Sequence, residues 1–479
     1  WGLTSPGLGE QRYVASVAVS RQLQAVLPEC DLIVGTEEEI RIAGGAADTL
    51  AALRELRRLG SATLVVKRGA FGCVVFEGPI PDRLDDGRVG PGFEVEVFNV
   101  LGAGDAFMAG FLRGWLRDEP LARCCAYANA CGALVVSRHG CAPAMPSEVE
   151  LHHFLAHGAS TRWLRKDADL EHLHRTTTRT RDWPELAVLA FDHRSQFEEL
   201  AAGEPAERIA RFKALLADGA RRGAAAASAG RSDPCFGVIV DDRYGEAVLP
   251  PLTGATWWVA RPVELPGSRP LQFEAGADLA LALREWPTEH VAKCLVVYHP
   301  DDAADLRREQ LDRLTTLQAA CLGTDREFLI EVVPPRDMAA RTDTLARALE
   351  QIYAAGIRPD WWKLPPPPDA AAWQHVAHVV LRHDPRCRGV LLLGLEANED
   401  SLAQSFRVAA PHPICKGFAV GRSIFAEPAA DWFAGRIADT AVVERVAARY
   451  ARLIAIWREA RPHAAAAPLA LRLTTKDTA

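Results

Sequence analysis

"LAVLAFDHR", residues 186–194, runs through six apolar residues and ends in Asp192, His193 and Arg194. An apolar run without polar alternation fits a strand buried on both faces, as in parallel sheets covered by helices. Seven further runs follow the same plan: "CFGVIVDD" (235–242), "TWWVARPVE" (256–264), "VAKCLVVYHP" (291–300), "EFLIEVVPP" (327–335), "PDWWKLP" (359–365), "GVLLLGLEA" (389–397) and "ICKGFAVGR" (414–422). Helical patterns separate most of them. Eight doubly buried strands alternating with helices predict a closed (β/α)8 barrel, an α/β fold of the TIM-barrel type. Chemistry in such barrels lies at the C-terminal strand ends. Here those ends carry Asp192, His193, Arg194, Asp241, Asp242, Glu264, His299, Asp301, Glu331, Lys363, Glu396 and Arg422.

The barrel cannot be the whole chain. At 479 residues the chain exceeds the ~250–300 at which one core usually stops growing, so two domains are expected. Residues 1–157 alternate strand-like runs, "DLIVG" (31–35), "ATLVVKRG" (62–69) and "GCVVFEG" (72–78), with helical patterns such as "TLAALRELRRLG" and "AGDAFMAGFLRGWL". That is a second α/β unit. Residues 158–184, polar and rich in Arg and Thr, read as a connector. Residues 185–460 hold the barrel, and the Ala-rich 461–479 read as a loosely ordered tail.

Composition narrows the function. A hydrophobic content of 49% with 24% charged residues fits a soluble globular protein. The formal net charge of −7, with no basic block, gives no electrostatic case for nucleic acid or an anionic membrane. "GVLLLGL" (389–395), among the longest apolar runs, falls well short of the ~20 residues that span a bilayer, and no signal-peptide pattern opens the chain. Eleven cysteines without CxxC spacing read as reduced core residues of a cytosolic protein. No heptads argue for an assembly, and a homo-oligomer stays open.

"PDWWKLPPPP" (359–368) puts one lysine among tryptophans and prolines. Read as a strand, it points Lys363 either into the barrel or toward the helices. Lys363 either snorkels to water from the strand end or is a desolvated amine of lowered pKa, able to attack a ketone and form a Schiff base. Glu331, on the preceding strand, would then relay protons. The glycines of "GFAVGRS" let backbone N–H groups approach an anion, and Arg422 can fork onto phosphate. A tight βα turn is the alternative reading of those glycines.

The stretches "LAFDHR", "VAKCLVVYHPDD", "FLIEVV", "PDWWKLP" and "KGFAVGR" resemble the class I tagatose-bisphosphate aldolase family. They are more similar still to the aldolase-like domains fused behind 5-dehydro-2-deoxygluconokinases of inositol catabolism. The resemblance implies that Lys363 is the Schiff-base lysine and Glu331 its partner, with Asp192 and Lys293 at further polar positions of the site; an ion-pair role for Lys293 stays open. Gly394, Gly421 and Arg422 would hold phosphate. The implied substrate is a phosphorylated keto sugar acid, 6-phospho-5-dehydro-2-deoxygluconate, cleaved to dihydroxyacetone phosphate and malonate semialdehyde. The iminium is the electron sink, so no cofactor or metal is expected in the barrel. "WWKLPPPP" departs from the simpler aldolase pattern.

"NVLGAGDAFMAGF" (99–111) resembles the signature of ribokinase-like sugar kinases. Small residues at a helix N-terminus let N–H groups and the helix dipole meet phosphoryl charge, and the following carboxylate can accept a hydroxyl proton. The resemblance assigns Gly102, Ala103 and Gly104 to the nucleotide phosphates and Asp105 to catalysis. Gly69, Gly72 and Asn129 would lie beside the nucleotide, and Glu39 of "GTEEE" near Mg2+, with Thr36 where that family carries Asn. ATP and Mg2+ are the implied cofactors. That fold's sugar-binding strands precede this signature and "WGLTSPG" opens midway through it, which predicts weak or absent kinase activity for this chain as given. Two alternatives stay open: a kinase with a non-catalytic regulatory barrel, and an aldolase for a ketose bisphosphate.

Overall fold

The computed structural model describes residues 17–228, 236–254, 256–339, 341–394 and 397–461. The chain divides into two compact units, Trp1–Thr180 and Arg181–Ala479.

In the first unit four strands, β1 (Leu32–Thr36), β2 (Thr63–Lys67), β3 (Cys73–Phe76) and β4 (Arg88–Gly90), form one sheet in that order. β1 and β2 pair in parallel, and β2–β3 and β3–β4 are antiparallel. Side chains alternate along a strand, so β2 sends Leu64 and Val66 to one face and Val65 to the other. The first face packs on helices Glu37–Gly44 and Thr49–Leu59 through Ile40, Leu53 and Leu56, and the second on Ala103–Trp115 and Leu121–Val136 through Phe107, Phe111 and Cys124.

Residues 158–184, expected as a connector, contain helix Ala168–Thr177. Its N-cap Asp167 accepts hydrogen bonds from the Asp169 and Leu170 amides, and Leu170 is buried in the core of the first unit. A helix so polar shows little apolar periodicity. One leucine anchors it.

The second unit is the expected closed barrel: β5 (Leu186–Ala190), β6 (Phe236–Ile239), β7 (Trp258–Pro262), β8 (Val291–Val297), β9 (Phe328–Val333), β10 (Trp361–Leu364), β11 (Gly389–Leu393) and β12 (Cys415–Val420), each parallel to the next, with β12 closing on β5. Two cores account for the continuous apolar runs. Inward residues such as Val188, Ile239, Leu329, Trp361 and Leu391 fill the barrel. Alternate residues such as Leu189, Val238, Ile330 and Trp362 face the helical ring.

That ring closes where helix Ala206–Ala227 meets helix Asp439–Ala460. A methyl group at Gly219 would strike Val446, and one at Gly223 would stand 2.8 Å from the Ala447 carbonyl oxygen, so only glycines allow this approach. The Tyr450 hydroxyl donates to the Ala187 carbonyl at 2.8 Å and ties the last helix to the first barrel strand. The tail expected over 461–479 lies outside the described residues beyond Arg461. No described helix is long and apolar enough to cross a membrane. The described cysteines are free thiols, buried except at Cys30 and Cys141.

Candidate active site

The period of β10 decides where Lys363 points. Trp361 belongs to the inner core and Trp362 and Leu364 to the outer one, so Lys363, two residues beyond Trp361, faces inward. Beneath it Trp361 packs edge-on against Trp258, ring centroids 5.8 Å apart, in the inner core that also holds Trp183. The tryptophans therefore keep the lower barrel dry. The prolines lie above, where Pro365 to Pro368 wall a cavity at the barrel mouth.

Lys363 and Glu331 are register partners on β10 and β9, and their Nζ and Oε2 atoms are 3.0 Å apart. The same Glu331 oxygen lies 3.1 Å from Lys293 Nζ, which also donates to Asp192 at 2.9 Å and Glu264 at 2.7 Å. All five side chains are buried. Burial alone would lower the Lys293 pKa, but Asp192, Glu264 and Glu331 outweigh it and hold the ammonium well above the usual lysine range. Burial would raise Glu331, yet Lys293 and Lys363 keep its pKa below the ordinary carboxylate value. Asp192 is likewise lowered, its burial overcome by the same two lysines. Glu264 goes the other way: burial raises it, and Lys293 offsets only part.

The two lysines are thereby separated in chemistry. Lys293, locked among three carboxylates, stays protonated and is a poor nucleophile; Lys363 has one carboxylate beside it and lines the cavity. The cavity, about 480 Å³, is also lined by Glu331, His193, Arg336, Arg422 and Ser423. Gly394 and Gly421 border it as well. A methyl at Gly421 would stand 2.1 Å from the Ala190 carbonyl oxygen, so this turn requires glycine whatever it binds. A methyl at Gly394 would stand 3.4 Å from Ser423 Oγ. That hydroxyl is buried without a hydrogen-bond partner among the described residues.

His193 lines the same cavity, with its ring 3.0 Å from where a methyl at Gly421 would stand. Its ring packs edge-on against Phe425, centroids 5.5 Å apart, and Phe197, 6.4 Å apart. Burial lowers its pKa to about 4 despite Asp192, so the imidazole is neutral near pH 7. Lys213 Nζ, buried and paired with Asp241, donates to the His193 carbonyl at 2.9 Å and fixes the turn from below.

Among the expected strand-end residues, Asp192, His193, Glu264, Glu331, Lys363 and Arg422 converge, and Arg194 joins their edge through the Glu264 carbonyl at 3.2 Å. Others are occupied elsewhere: Asp241 with Lys213, Asp242 with Arg261, and Asp301 with Arg347. Glu396 lies outside the described residues. Sequence reasoning missed Arg336 and Ser423. "PPRD" after the fifth barrel strand and the serine of "GFAVGRS" were the available signals.

The first unit brings a second group of the expected residues together. The strand-end neighbours Thr36 and Lys67 are register partners on β1 and β2. Thr36 caps the following helix in a capping box: its amide donates to Glu39 Oε2 at 2.7 Å, and its hydroxyl oxygen accepts from the Glu39 amide at 3.2 Å. Lys67 Nζ lies 3.4 Å from Glu39 Oε2 and would lie 3.4 Å from a methyl at Gly104. Lys67, which the sequence analysis passed over, thus links Glu39 to the Gly102–Gly104 turn. Gly102 takes a φ of +81° at the helix N-terminus, and Asp105 is exposed in the first turn.

Two residues expected beside the nucleotide carry structural duties. Asn129 is buried and donates to the Gly90 and Pro91 carbonyls at 3.1 and 3.0 Å, which ties its helix to β4. Gly72, at φ +84°, leaves room for the Gly90 carbonyl, which a methyl would meet at 2.0 Å. Gly69, at φ +58°, has open space around it.

The chain belongs to the DUF2090 family, an uncharacterized protein conserved in bacteria, whose match covers residues 150–461. Residues 11–148 match the pfkB family of carbohydrate kinases, so the first unit is ribokinase-like. Over 131 residues the chain is 29% identical to a 5-dehydro-2-deoxygluconokinase from Geobacillus kaustophilus, which covers 26% of this chain and 38% of that protein. Over 152 residues it is 32% identical to probable fructokinase-7 from Arabidopsis thaliana, covering 30% of this chain and 43% of that one. The chain therefore spans about two fifths of the length of these relatives. Among solved structures it is similar to fructose-bisphosphate aldolase from Plasmodium falciparum at 15% identity, with a TM-score of 0.45, over 62% of this chain and 97% of that one.

Proposed function

We propose that the barrel is a class I aldolase acting on a phosphorylated keto sugar acid, 6-phospho-5-dehydro-2-deoxygluconate, and that the first unit is the kinase domain for the unphosphorylated acid. The observation that carries the aldolase reading is the inward Lys363 ammonium at the cavity wall, with Glu331 3.0 Å away and a second, locked lysine behind it.

Glu331 accepts a proton from Lys363, and the free amine adds to the C5 ketone. Loss of water gives an iminium. A base removes the C3 hydroxyl proton, the C3–C4 bond breaks, and its electron pair flows into the iminium to form an enamine. Malonate semialdehyde leaves, C4 takes up a proton, and water releases dihydroxyacetone phosphate from Lys363. Glu331, 3.0 Å from the Lys363 amine, stands where these protons must pass. Lys293 fixes the carboxylates, and Gly394, Gly421, Arg422 and Ser423 receive the phosphate.

In the first unit Gly102, Ala103, Gly104 and Lys67 fit the phosphates of ATP, and Asp105 fits the base for a sugar hydroxyl. Glu39 would help hold a Mg2+ ion, and ATP with that ion, when bound, would supply the phosphoryl group and offset its charge. The sugar acid proposed for the kinase domain follows the 5-dehydro-2-deoxygluconokinase relative named above, and the inositol-catabolic setting follows only from the motif resemblance.

Borohydride reduction with dihydroxyacetone phosphate, followed by peptide mass mapping, tests the aldolase reading. A reduced adduct on Lys363 is expected. One on Lys293 would move the nucleophile, and none on either would reject a Schiff-base aldolase. A substrate panel including tagatose and fructose bisphosphates then decides between the sugar acid and a ketose bisphosphate.

A further inference from the structure

Two arginines from different loops line one cavity. Arg422 follows β12, and Arg336 follows β9 in "VVPPRD", so the two loops flank the strand that carries Lys363 and its neighbour β11. Arg336 has no acidic partner within ion-pair distance among the described residues. Pro334 and Pro335 precede it, and their fixed φ angles stiffen the loop that presents it. The same cavity is lined by Gly394 and by Ser423, whose hydroxyl is buried and unpartnered among the described residues. An orphan buried hydroxyl calls for a partner, and in a cavity lined by two guanidinium groups an anion suits it.

We infer that Arg336 is a second phosphate ligand, closing from the β9 loop onto the phosphate held by Arg422, Ser423 and the Gly394 and Gly421 backbone. The inference rests on the aldolase reading. The chemistry of that reading fixes the distance scale: the phosphate is borne on the carbon next to the ketone that condenses with Lys363, so it must sit within one side chain's reach of the amine. Arg422 alone would neutralise half of a phosphate dianion. Electrostatics agree: burial and then the Arg336 charge hold Arg422 below the usual arginine range, with Glu331 opposing, as for two cations sharing one anion site. Arg336 is accordingly a selectivity residue for phosphorylated over neutral ketones, presented on a stiff loop at small entropic cost.

The test compares the parent protein with Arg336→Gln and Arg336→Lys, using borohydride trapping on Lys363 at increasing dihydroxyacetone phosphate and, separately, dihydroxyacetone. For Arg336→Gln the half-saturating concentration of the phosphate ester should rise roughly 10- to 100-fold, the loss of one charge-assisted contact, while that of dihydroxyacetone stays within about twofold. Arg336→Lys should recover part of the loss. Unchanged saturation by the phosphate ester in Arg336→Gln overturns the inference, as does an equal loss for both ketones. Calorimetry with inorganic phosphate separates the two readings, because it needs no Schiff base. If the parent forms no adduct but binds phosphate and Arg336→Gln does not, the aldolase reading fails and the anion site stands. Equal phosphate affinity in both proteins, or none in the parent, removes the site.

Discussion

Two lysines share Glu331 at 3.0 and 3.1 Å, and the residues around them give them opposite duties. Lys363→Ala should abolish the borohydride adduct and lower kcat by roughly three orders of magnitude or more, with the thermal midpoint little changed. Lys293→Met removes the cation from among three buried carboxylates. Its expected cost is about 3–5 kcal/mol in urea unfolding, the usual penalty for leaving buried charge uncompensated. If Lys293→Met instead left stability intact and removed only the adduct, the assignment of the two lysines would be reversed. The sequence placed both lysines in strands, and placed Glu331 beside Lys363. It could not reveal the company of Lys293: Asp192, Glu264 and Glu331 are far apart in the chain and meet it only because the barrel closes.

At the scale of elements, the barrel strands were legible because both of their faces are buried, which leaves an unbroken apolar run. The helix at 168–177 was hidden by the same logic, having one buried leucine, Leu170, where an amphipathic helix shows a stripe. The seam between β12 and β5 rests on Gly417, where a methyl would stand 1.8 Å from the Leu186 carbonyl oxygen. Gly417→Ala should therefore cost over about 3 kcal/mol, or prevent folding of the barrel, since backbone cannot yield there. Gly78→Ala, in open space, should fall within about 0.5 kcal/mol of the parent in the same denaturant titration.

For the molecule as a whole, buried titratable groups set the acid limit. Burial lowers His193 and His290 to about 4, against about 6.5 in an unfolded chain. As pH falls through this window the unfolded state takes up protons that the folded state refuses. Stability is thus full above about pH 6.5 and declines toward pH 4, by at most about 3 kcal/mol per histidine. The depressed carboxylates Asp192 and Glu331 add to the loss only at lower pH, below their unfolded values, whereas the raised Glu264 works in the opposite sense. Urea midpoints at pH 7.5, 5.5 and 4.5 should fall steadily. His290→Gln should flatten that fall, and an unchanged slope would show that His290 is not its source.

The sequence by itself determined the two α/β units, the eight barrel strands, and the face on which the polar residues gather, because burial on two faces and chemistry at strand ends are written in local order. Only the tertiary structure decided that Lys363 points inward, that Lys293 is locked as a cation, and that Arg336 and Ser423 line the same cavity as Lys363. Direction depends on register, and charge state on neighbours. Both arise only when distant segments are brought together around a closed sheet.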